Sequence, residues 1–129
     1  MDMEITFPGG ARVDASAGQH TIKTDQPPQG GGEGSAPTPF SLFLASIGTC
    51  AGIYVLGFCR QRGISTDGLR ITQRNHADPD SGMIDQVELE IKLPDEFPEQ
   101  YRDTLIRTAE LCAVKKHLQD PPEFNITAR

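Results

Sequence analysis

Three cysteines are the residues of this sequence with the greatest capacity for chemistry, and two of them lie in its most apolar stretch. Cys50 and Cys59 fall within SIGTCAGIYVLGFC, residues 46–59, and Cys112 lies in AELCAVKKHL, residues 109–118. A thiolate can attack a peroxide or a disulfide or bind a metal, whereas a thiol buried among apolar groups is inert. The reactivity of each cysteine therefore depends on what surrounds its sulfur.

Helical geometry separates the first two cysteines. Nine residues on a helix correspond to roughly 900° of rotation and about 13 Å of rise, so Cys50 and Cys59 point in opposite directions. A disulfide requires Cα atoms within about 7 Å. The pair cannot bridge while the helix is intact. The partner of Cys50 is therefore Cys112 or a cysteine of a second chain.

The helical neighbours of Cys50 are mostly apolar, among them Ile47, Ile53 and Tyr54. Such surroundings raise the pKa of a thiol and leave it unreactive unless a cation is brought close. No cation lies within one helical turn, so it would have to come from elsewhere in the chain. The candidates are Arg12, Arg60, Arg62, Arg70 and Arg74.

Two other kinds of site have weaker support in the sequence. A zinc site would draw on the cysteines and on His20, His76 and His117, but no Cys-x-x-Cys spacing is present. The sequence has no Gly-x-Ser-x-Gly motif for a serine nucleophile, and GGGEG lacks the Lys-Ser/Thr of a phosphate-binding loop. We therefore expect neither a metal nor a cofactor.

The bulk composition excludes several classes of partner. The formal net charge is −6 and Trp is absent, which argues against binding to nucleic acid or to an anionic membrane. The uncharged run 42–58 is at the short limit for a bilayer span and is diluted by glycine, so a core helix that is apolar all round is expected instead. An odd cysteine count and an acidic N-terminus without a leader pattern favour a cytoplasmic protein.

The pattern of elements predicts a single α+β domain over residues 1–129. MEITF, ARVDAS and HTIKT should form an antiparallel meander, and the Pro/Gly-rich stretch 26–39 should be an internal loop. A helix capped by Thr38 or Ser41 should run to about Arg62 and stop at Gly63. DGLRITQRNH and QVELEIKL alternate as two strands of a hairpin.

A second helix should begin near Pro98 and carry Cys112 on its core-facing side, in line with Leu105 and Ala109. EFNITAR is predicted to close the chain as a strand. Within the first helix, GTCAG places Gly48 and Gly52 on one face. This spacing favours either tight packing inside the chain or a contact between the helices of a dimer.

The block PTPFSLFLASIGTC, residues 37–50, resembles the OsmC/Ohr family of organic hydroperoxide reductases. AELCAVKKHL is similar to the family's second motif, Cys-Pro-Val-x-x-x-Leu, which follows the first cysteine by about sixty residues. The QGGGEGSAPTP loop and the alternating hairpin occur in the same order as in that family. The resemblance spans most of the chain.

This resemblance implies an OsmC-like fold, with antiparallel sheets wrapped around central helices in an intertwined homodimer. It implies that Cys50 is the peroxidatic thiolate and Cys112 the resolving thiol, with an organic hydroperoxide as the substrate. A dithiol, in some members a lipoylated protein, would be the reductant. Arg12 follows Gly9-Gly10, similar to the Gly-Gly-Arg of some members, and is the candidate for the activating arginine.

The chain departs from the family pattern at two motifs. Phe40 and Ser41 stand where many members have the carboxylate that orients the arginine, and Ala113 replaces the Pro that favours a fresh helix start after the second cysteine. The alternative hypothesis is therefore a small-ligand-binding protein of the same fold with an inert or differently used Cys50.

Overall fold

The computed structural model describes all 129 residues, Met1–Arg129. The elements follow one another as β1 (Glu4–Gly9), β2 (Arg12–Ala17), β3 (His20–Thr24), α1 (Pro39–Gln61), β4 (Arg70–Ala77), β5 (Ile84–Lys92), α2 (Arg102–Ala109) and α3 (Ala113–Gln119). The chain divides into two compact units, Met1–Ala45 and Ser46–Arg129, and the boundary falls within α1. Each unit is described by itself.

The first unit contains the predicted antiparallel meander. Strands β1, β2 and β3 are neighbours in that order in one sheet. The turns that join them contain Gly10 and Gly18, whose φ angles of 57° and 59° lie in the left-handed region that favours glycine. The meander prediction is therefore confirmed.

A buried carboxylate closes the Pro/Gly-rich loop that follows β3. The side chain of Asp25 accepts hydrogen bonds from the backbone N–H groups of Gln26, Glu33 and Ser35 at 2.7, 3.3 and 3.0 Å, and from the Ser35 hydroxyl at 2.6 Å. These bonds, chiefly those from Ser35, lower the pKa of Asp25 from 3.8 to about 2. The ionised carboxylate therefore stabilises the loop, together with backbone hydrogen bonds such as the one from the Gly34 N–H to the Gln26 carbonyl oxygen at 2.9 Å.

We expect Asp25 to make folding stability depend on acid. A carboxyl whose pKa is depressed in the folded state stabilises the fold above its unfolded pKa, and this contribution is lost as the pH falls from about 4 to about 2. Asp25→Asn should destabilise the protein at pH 7 and flatten that acid dependence. Denaturant unfolding at fixed protein concentration measures both effects. Asp67→Asn, at an exposed residue, is the control at pH 7. Equal stability of Asp25→Asn and wild type at pH 7 would contradict the assignment.

Helix α1 begins and ends where the sequence predicts. The Thr38 hydroxyl accepts a hydrogen bond from the backbone N–H of Ser41 at 3.1 Å, so Thr38 is the cap. Gly63, with φ of 64°, terminates the helix. By length and composition α1 is apolar enough to cross a bilayer, a criterion that core helices of water-soluble proteins also meet.

The prediction that α1 is buried all round is wrong for the single chain. One stripe of the helix is buried, at positions spaced by three or four residues: Ile47, Ala51, Val55, Phe58 and Cys59. Outside this stripe, Ile53 is 58% exposed and Phe40 is 54% exposed. The helix is therefore apolar on two faces, of which the chain itself covers one.

The two glycines of GTCAG pack inside the chain. A Cβ atom at Gly48 would collide with the side-chain amide oxygen of Gln73 on β4, and one at Gly52 would lie 3.9 Å from the Ile71 Cδ1 atom. Of the two interpretations of this spacing, the structure supports close internal packing, here between a helix and a strand.

The second unit packs the predicted hairpin and the C-terminal helices against α1. Strands β4 and β5 are antiparallel, with Arg70 opposite Lys92 and Ile71 opposite Ile91. On the outer face, Arg74 forms ion pairs with Glu88 at 3.5 Å and Glu90 at 3.6 Å. The inner face contributes Ile71 and Ile91 to a core whose buried members are Val55, Phe58, Cys59, Phe97 and Leu105.

The structure corrects two expectations about the C-terminal third. The predicted second helix is two helices, because α2 ends at Ala109 and α3 begins at Ala113. Residues 120–129 form no strand, and Phe124 and Ile126 are exposed. Within one chain, EFNITAR does not pair with the edge of any strand, although its apolar residues alternate as in a strand.

Candidate active site

The interruption between α2 and α3 places Cys112 at the start of a new helix. Cys112 occupies the N-cap position of α3, with φ of −49° and ψ of 128°, and is 2% exposed. Its sulfur lies 3.9 Å from the carbonyl oxygen of Ile47 on α1. The fresh helix start therefore forms with Ala113 in the place of proline, and Cys112 faces α1.

Cys50 lies on α1 within hydrogen-bonding reach of this helix start. The Cys112 thiol donates a hydrogen bond to Cys50 and is the main cause that lowers the pKa of Cys50. The backbone N–H groups of Val114 and Ala113 act in the same direction, against burial, which raises the pKa. These three donors favour the thiolate, so the expectation that apolar neighbours raise the pKa of Cys50 is wrong.

Cys112 has the opposite tendency. Burial raises the pKa of Cys112, and the hydrogen bond that it donates to Cys50 raises it further. Around neutral pH the pair is therefore asymmetric, with Cys50 the more acidic sulfur and Cys112 a protonated donor. A nucleophilic thiolate and a neighbouring thiol able to form a disulfide with it are the two groups that a dithiol redox site requires.

The groups that lower the pKa of Cys50 include no side-chain cation. Arg62 lies with its guanidinium 3.7 Å from the centroid of the Phe58 ring, and Arg74 is paired with Glu88 and Glu90. Arg60 and Arg70 are exposed.

Arg12, the candidate for the activating arginine, begins β2 in the first unit. Its Nε atom donates a hydrogen bond to the Gly9 carbonyl oxygen at 3.2 Å. Its catalytic role stays a prediction.

The third cysteine and the histidines lie apart from this pair. Cys59 is fully buried in the core of the second unit, and burial raises its pKa, so it is a packing residue. Across residues 1–129, no three side chains of His, Cys, Asp or Glu converge as a metal site requires.

Sequence reasoning missed the backbone contribution to the site. The N–H groups of Ala113 and Val114 reach Cys50 because the helix breaks immediately before them. A proline after Cys112 would have indicated that break. With alanine there, the periodicity of Leu105, Ala109 and Cys112 indicated one continuous helix instead.

We expect the acidity of Cys50 to depend on the donor at position 112. Cys112→Ala removes the main group that lowers the pKa of Cys50, so the midpoint of the alkylation rate against pH should move to higher pH. Cys112→Ser supplies a hydroxyl donor in the same place and should keep the midpoint low. Iodoacetamide labelling, mapped to Cys50 by mass spectrometry, measures the midpoint. The same midpoint in both variants would show that the thiol contributes nothing.

Comparison with known proteins assigns the family. A sequence profile described as OsmC-like protein matches residues 32–127, which contain both Cys50 and Cys112. The chain belongs to the OsmC-like protein family. Among curated proteins, none matches this OsmC-like chain.

Solved structures agree with the OsmC-like fold. A protein from Psychrobacter arcticus, provisionally described as an osmotic stress induced and detoxification response protein, superposes with a TM-score of 0.73 at 24% identity, covering 88% of this chain and 85% of that one. An OsmC-like protein from Mycoplasma pneumoniae gives 0.67 at 15% identity, with coverage of 93% and 87%. An organic hydroperoxide resistance protein OsmC from Legionella pneumophila gives 0.52 at 21% identity, with coverage of 92% and 90%. The mixed α/β fold with antiparallel sheets and three helices is thus the fold of OsmC-like structures.

Proposed function

We propose that this OsmC-like protein is a thiol-dependent peroxidase that reduces organic hydroperoxides through Cys50 and Cys112. The observation that carries the proposal is the position of Cys50 on α1 beside the Cys112 thiol and the first N–H groups of α3, which together lower the pKa of Cys50. A thiol that ionises more readily than usual and its disulfide partner therefore lie at one place. The name of the Legionella relative, an organic hydroperoxide resistance protein, supports the same activity.

The proposed reaction begins at the peroxide. The Cys50 thiolate attacks one oxygen of the O–O bond, that bond breaks, and the other oxygen leaves with the electron pair and takes up a proton as an alcohol. Cys50 becomes a sulfenic acid. The Cys112 sulfur then attacks the Cys50 sulfur, water leaves, and a Cys50–Cys112 disulfide forms. A dithiol, which a lipoylated protein could supply, returns both cysteines to the reduced state.

The substrate class follows from the surroundings of Cys50. Its neighbours on α1 include Ile47, Ile53 and Tyr54, which offer apolar surface and few hydrogen-bonding groups. An alkyl or aryl hydroperoxide gains free energy from burial against such surface, whereas hydrogen peroxide does not. We therefore propose organic hydroperoxides as the substrates of this cytoplasmic enzyme.

The proposal includes a second copy of the chain. Apolar side chains exposed in one chain, such as Ile53 on α1 and Phe124 and Ile126 near the C-terminus, require a cover in water. An intertwined homodimer would supply it. Arg12 is proposed as the residue that stabilises the developing charge on the peroxide, because it follows Gly9-Gly10 and so resembles the Gly-Gly-Arg of some family members.

The test is stoichiometric oxidation of the reduced protein by cumene hydroperoxide, followed by mass mapping of the thiols. We expect one equivalent to convert Cys50 and Cys112 into an intramolecular disulfide while Cys59 stays a free thiol. Cumyl alcohol should appear in equal amount. Failure to form the disulfide, together with no turnover in the presence of a dithiol, would overturn the proposal.

A small-ligand-binding protein of the same fold is the second candidate. The missing carboxylate at Phe40 and Ser41 favours it, because an arginine that nothing orients contributes less to catalysis. This alternative predicts an apolar ligand that co-purifies with the protein and binds equally well to Cys50→Ser. Activity that depends strictly on Cys50 would argue against it.

A further inference from the structure

The second unit encloses an apolar cavity that reaches the resolving cysteine. The cavity has a volume of about 480 Å³ and lies between α1, the β4–β5 hairpin and the two C-terminal helices. Ile47 and Ala51 line it on the α1 side, and the sulfur-bearing residue in its wall is Cys112. Cys50 does not line it.

The chemistry of the cavity changes from its interior to its mouth. Strand residues such as Leu89 and Ile91 make the interior apolar. Ile106 and Leu118 also line the cavity, and because they are 44% and 49% exposed they lie at its opening. Three charged residues, Arg102, Glu110 and Lys115, are also at the wall and are exposed. A cavity of this kind accepts an apolar group of moderate size from solvent.

We propose that this cavity is the entry route of the reductant, an apolar dithiol whose thiolate attacks the Cys112 sulfur of the oxidised pair. The inference rests on the proposed peroxidase function. It adds to it the side from which the reductant approaches and the sulfur atom that the reductant attacks. The peroxide meets Cys50, which is half-buried, and the reductant meets Cys112, which is 2% exposed and is reached through the cavity. The two half-reactions thus use different approaches to the same disulfide.

Reduction of the Cys50–Cys112 disulfide requires no reactant other than the dithiol. The reductant thiolate forms a bond to Cys112 Sγ, the Cys50–Cys112 bond breaks, and its electron pair leaves on Cys50 Sγ as a thiolate. The second thiol of the reductant, once deprotonated, attacks its own sulfur in the mixed disulfide and releases Cys112, which takes up the proton. The products are the reduced protein and a cyclic or linear disulfide of the reductant.

The acidity of the two cysteines also favours attack at the Cys112 sulfur. The sulfur that leaves faster in thiol–disulfide exchange is the one with the lower pKa. The donors around Cys50 lower its pKa and burial raises that of Cys112, so attack at Cys112 expels the better leaving group. Access and leaving-group ability therefore select the same sulfur.

The cavity also selects the class of reductant. Glutathione carries two carboxylates and an ammonium group. Arg102 and Lys115 can pair with carboxylates at the wall, but aliphatic side chains such as Leu89 and Ile91 offer the charges of a glutathione molecule inside the cavity no partner. A thiol on an alkyl or aryl group has no such cost. We therefore expect an apolar thiol to be preferred over glutathione at equal thiolate concentration by about tenfold or more.

The first experiment identifies the attacked sulfur without using a peroxide. The disulfide is formed in the purified protein with diamide, so the result does not depend on peroxidase activity. Benzyl mercaptan, a monothiol, is then added, and the reaction is stopped with acid. Free thiols are blocked with N-ethylmaleimide, and the cysteine that carries the mixed disulfide is identified by mass spectrometry. We expect benzyl mercaptan on Cys112 and the maleimide on Cys50. The mixed disulfide on Cys50, or equal rates with glutathione, would overturn the proposal.

The second experiment blocks the mouth of the cavity. Leu118→Trp should slow reduction of the diamide-formed disulfide by benzyl mercaptan about tenfold and leave the single-turnover oxidation of Cys50 by cumene hydroperoxide unchanged. Leu111→Trp is the matched control, since Leu111 is 50% exposed, close to the 49% of Leu118, but does not line the cavity. Equal slowing in both variants, or no slowing in Leu118→Trp, would show that the cavity is not the route. If cumene hydroperoxide fails to oxidise Cys50 while the disulfide is reduced normally, the result would contradict the proposed peroxidase function and not the route through the cavity.

Discussion

Cys50→Ser is expected to lower the rate of organic hydroperoxide reduction at least about 10³-fold, to the level of the uncatalysed reaction with free thiols. The reason is the nature of the nucleophile. The donors around position 50 lower the pKa of a thiol enough to increase its thiolate fraction, but a serine hydroxyl stays protonated in the same surroundings. Consumption of cumene hydroperoxide in the presence of excess dithiol measures the loss.

The other two cysteines provide controls that separate chemistry from folding. Cys112→Ser should still be oxidised once by one equivalent of cumene hydroperoxide, because its hydroxyl keeps a donor beside Cys50, but it cannot form the disulfide. Cys59→Ala should keep full turnover, since Cys59 lies in the core away from the pair. A Cys50→Ser protein that consumes peroxide as fast as Cys59→Ala would contradict the assignment of the nucleophile.

Phe58→Ala should cause a large loss of stability, about 3–5 kcal/mol in the free energy of unfolding. The Phe58 ring is buried in the core of the second unit and meets Tyr101 edge to face, with ring centroids 5.9 Å apart. The Arg62 guanidinium lies 3.7 Å from the ring centroid. Alanine would remove the buried apolar area and both ring interactions and leave a cavity that the packed helix cannot close.

Phe58→Leu separates the apolar volume from the aromatic contacts. Leucine keeps most of the buried volume but neither the edge-to-face pair with Tyr101 nor the interaction with Arg62, so we expect a loss of about 1–2 kcal/mol. Denaturant unfolding gives both values, and one fixed protein concentration is used so that any self-association contributes equally to each protein. A loss in Phe58→Ala below about 1 kcal/mol would mean that the core does not depend on this ring.

The sequence predicted most of the elements because their signals are local. The alternation of Val87, Leu89 and Ile91 has the two-residue period of a half-buried strand, and Thr38 and Gly63 are residues whose chemistry caps and ends a helix. Strands β1 to β3 follow from short apolar runs separated by glycine. In each case the information lies within a few residues of the element that it specifies.

The sequence predicted the site less completely, because its chemistry comes from groups far apart in the chain. Helical spacing excluded Cys59 as the partner of Cys50 but left Cys112 and a cysteine of a second chain open, and the family resemblance favoured Cys112. The side-chain pattern around Cys50 indicated a raised pKa, since a pattern of side chains says nothing of the backbone N–H groups of Ala113 and Val114. The closing strand was predicted from alternation alone, although a strand also requires a partner edge, and one chain provides none for residues 120–129.

The break between α2 and α3 has a consequence for the tolerance of the site to ionic strength. The groups that lower the pKa of Cys50 are a thiol and two backbone amides, which are neutral dipoles beside the sulfur. Dissolved ions screen charges over a Debye length of about 8 Å at physiological salt and have little effect on the short-range interaction of a sulfur with neighbouring dipoles. A thiolate held in this way keeps its reactivity as the salt content of its surroundings rises.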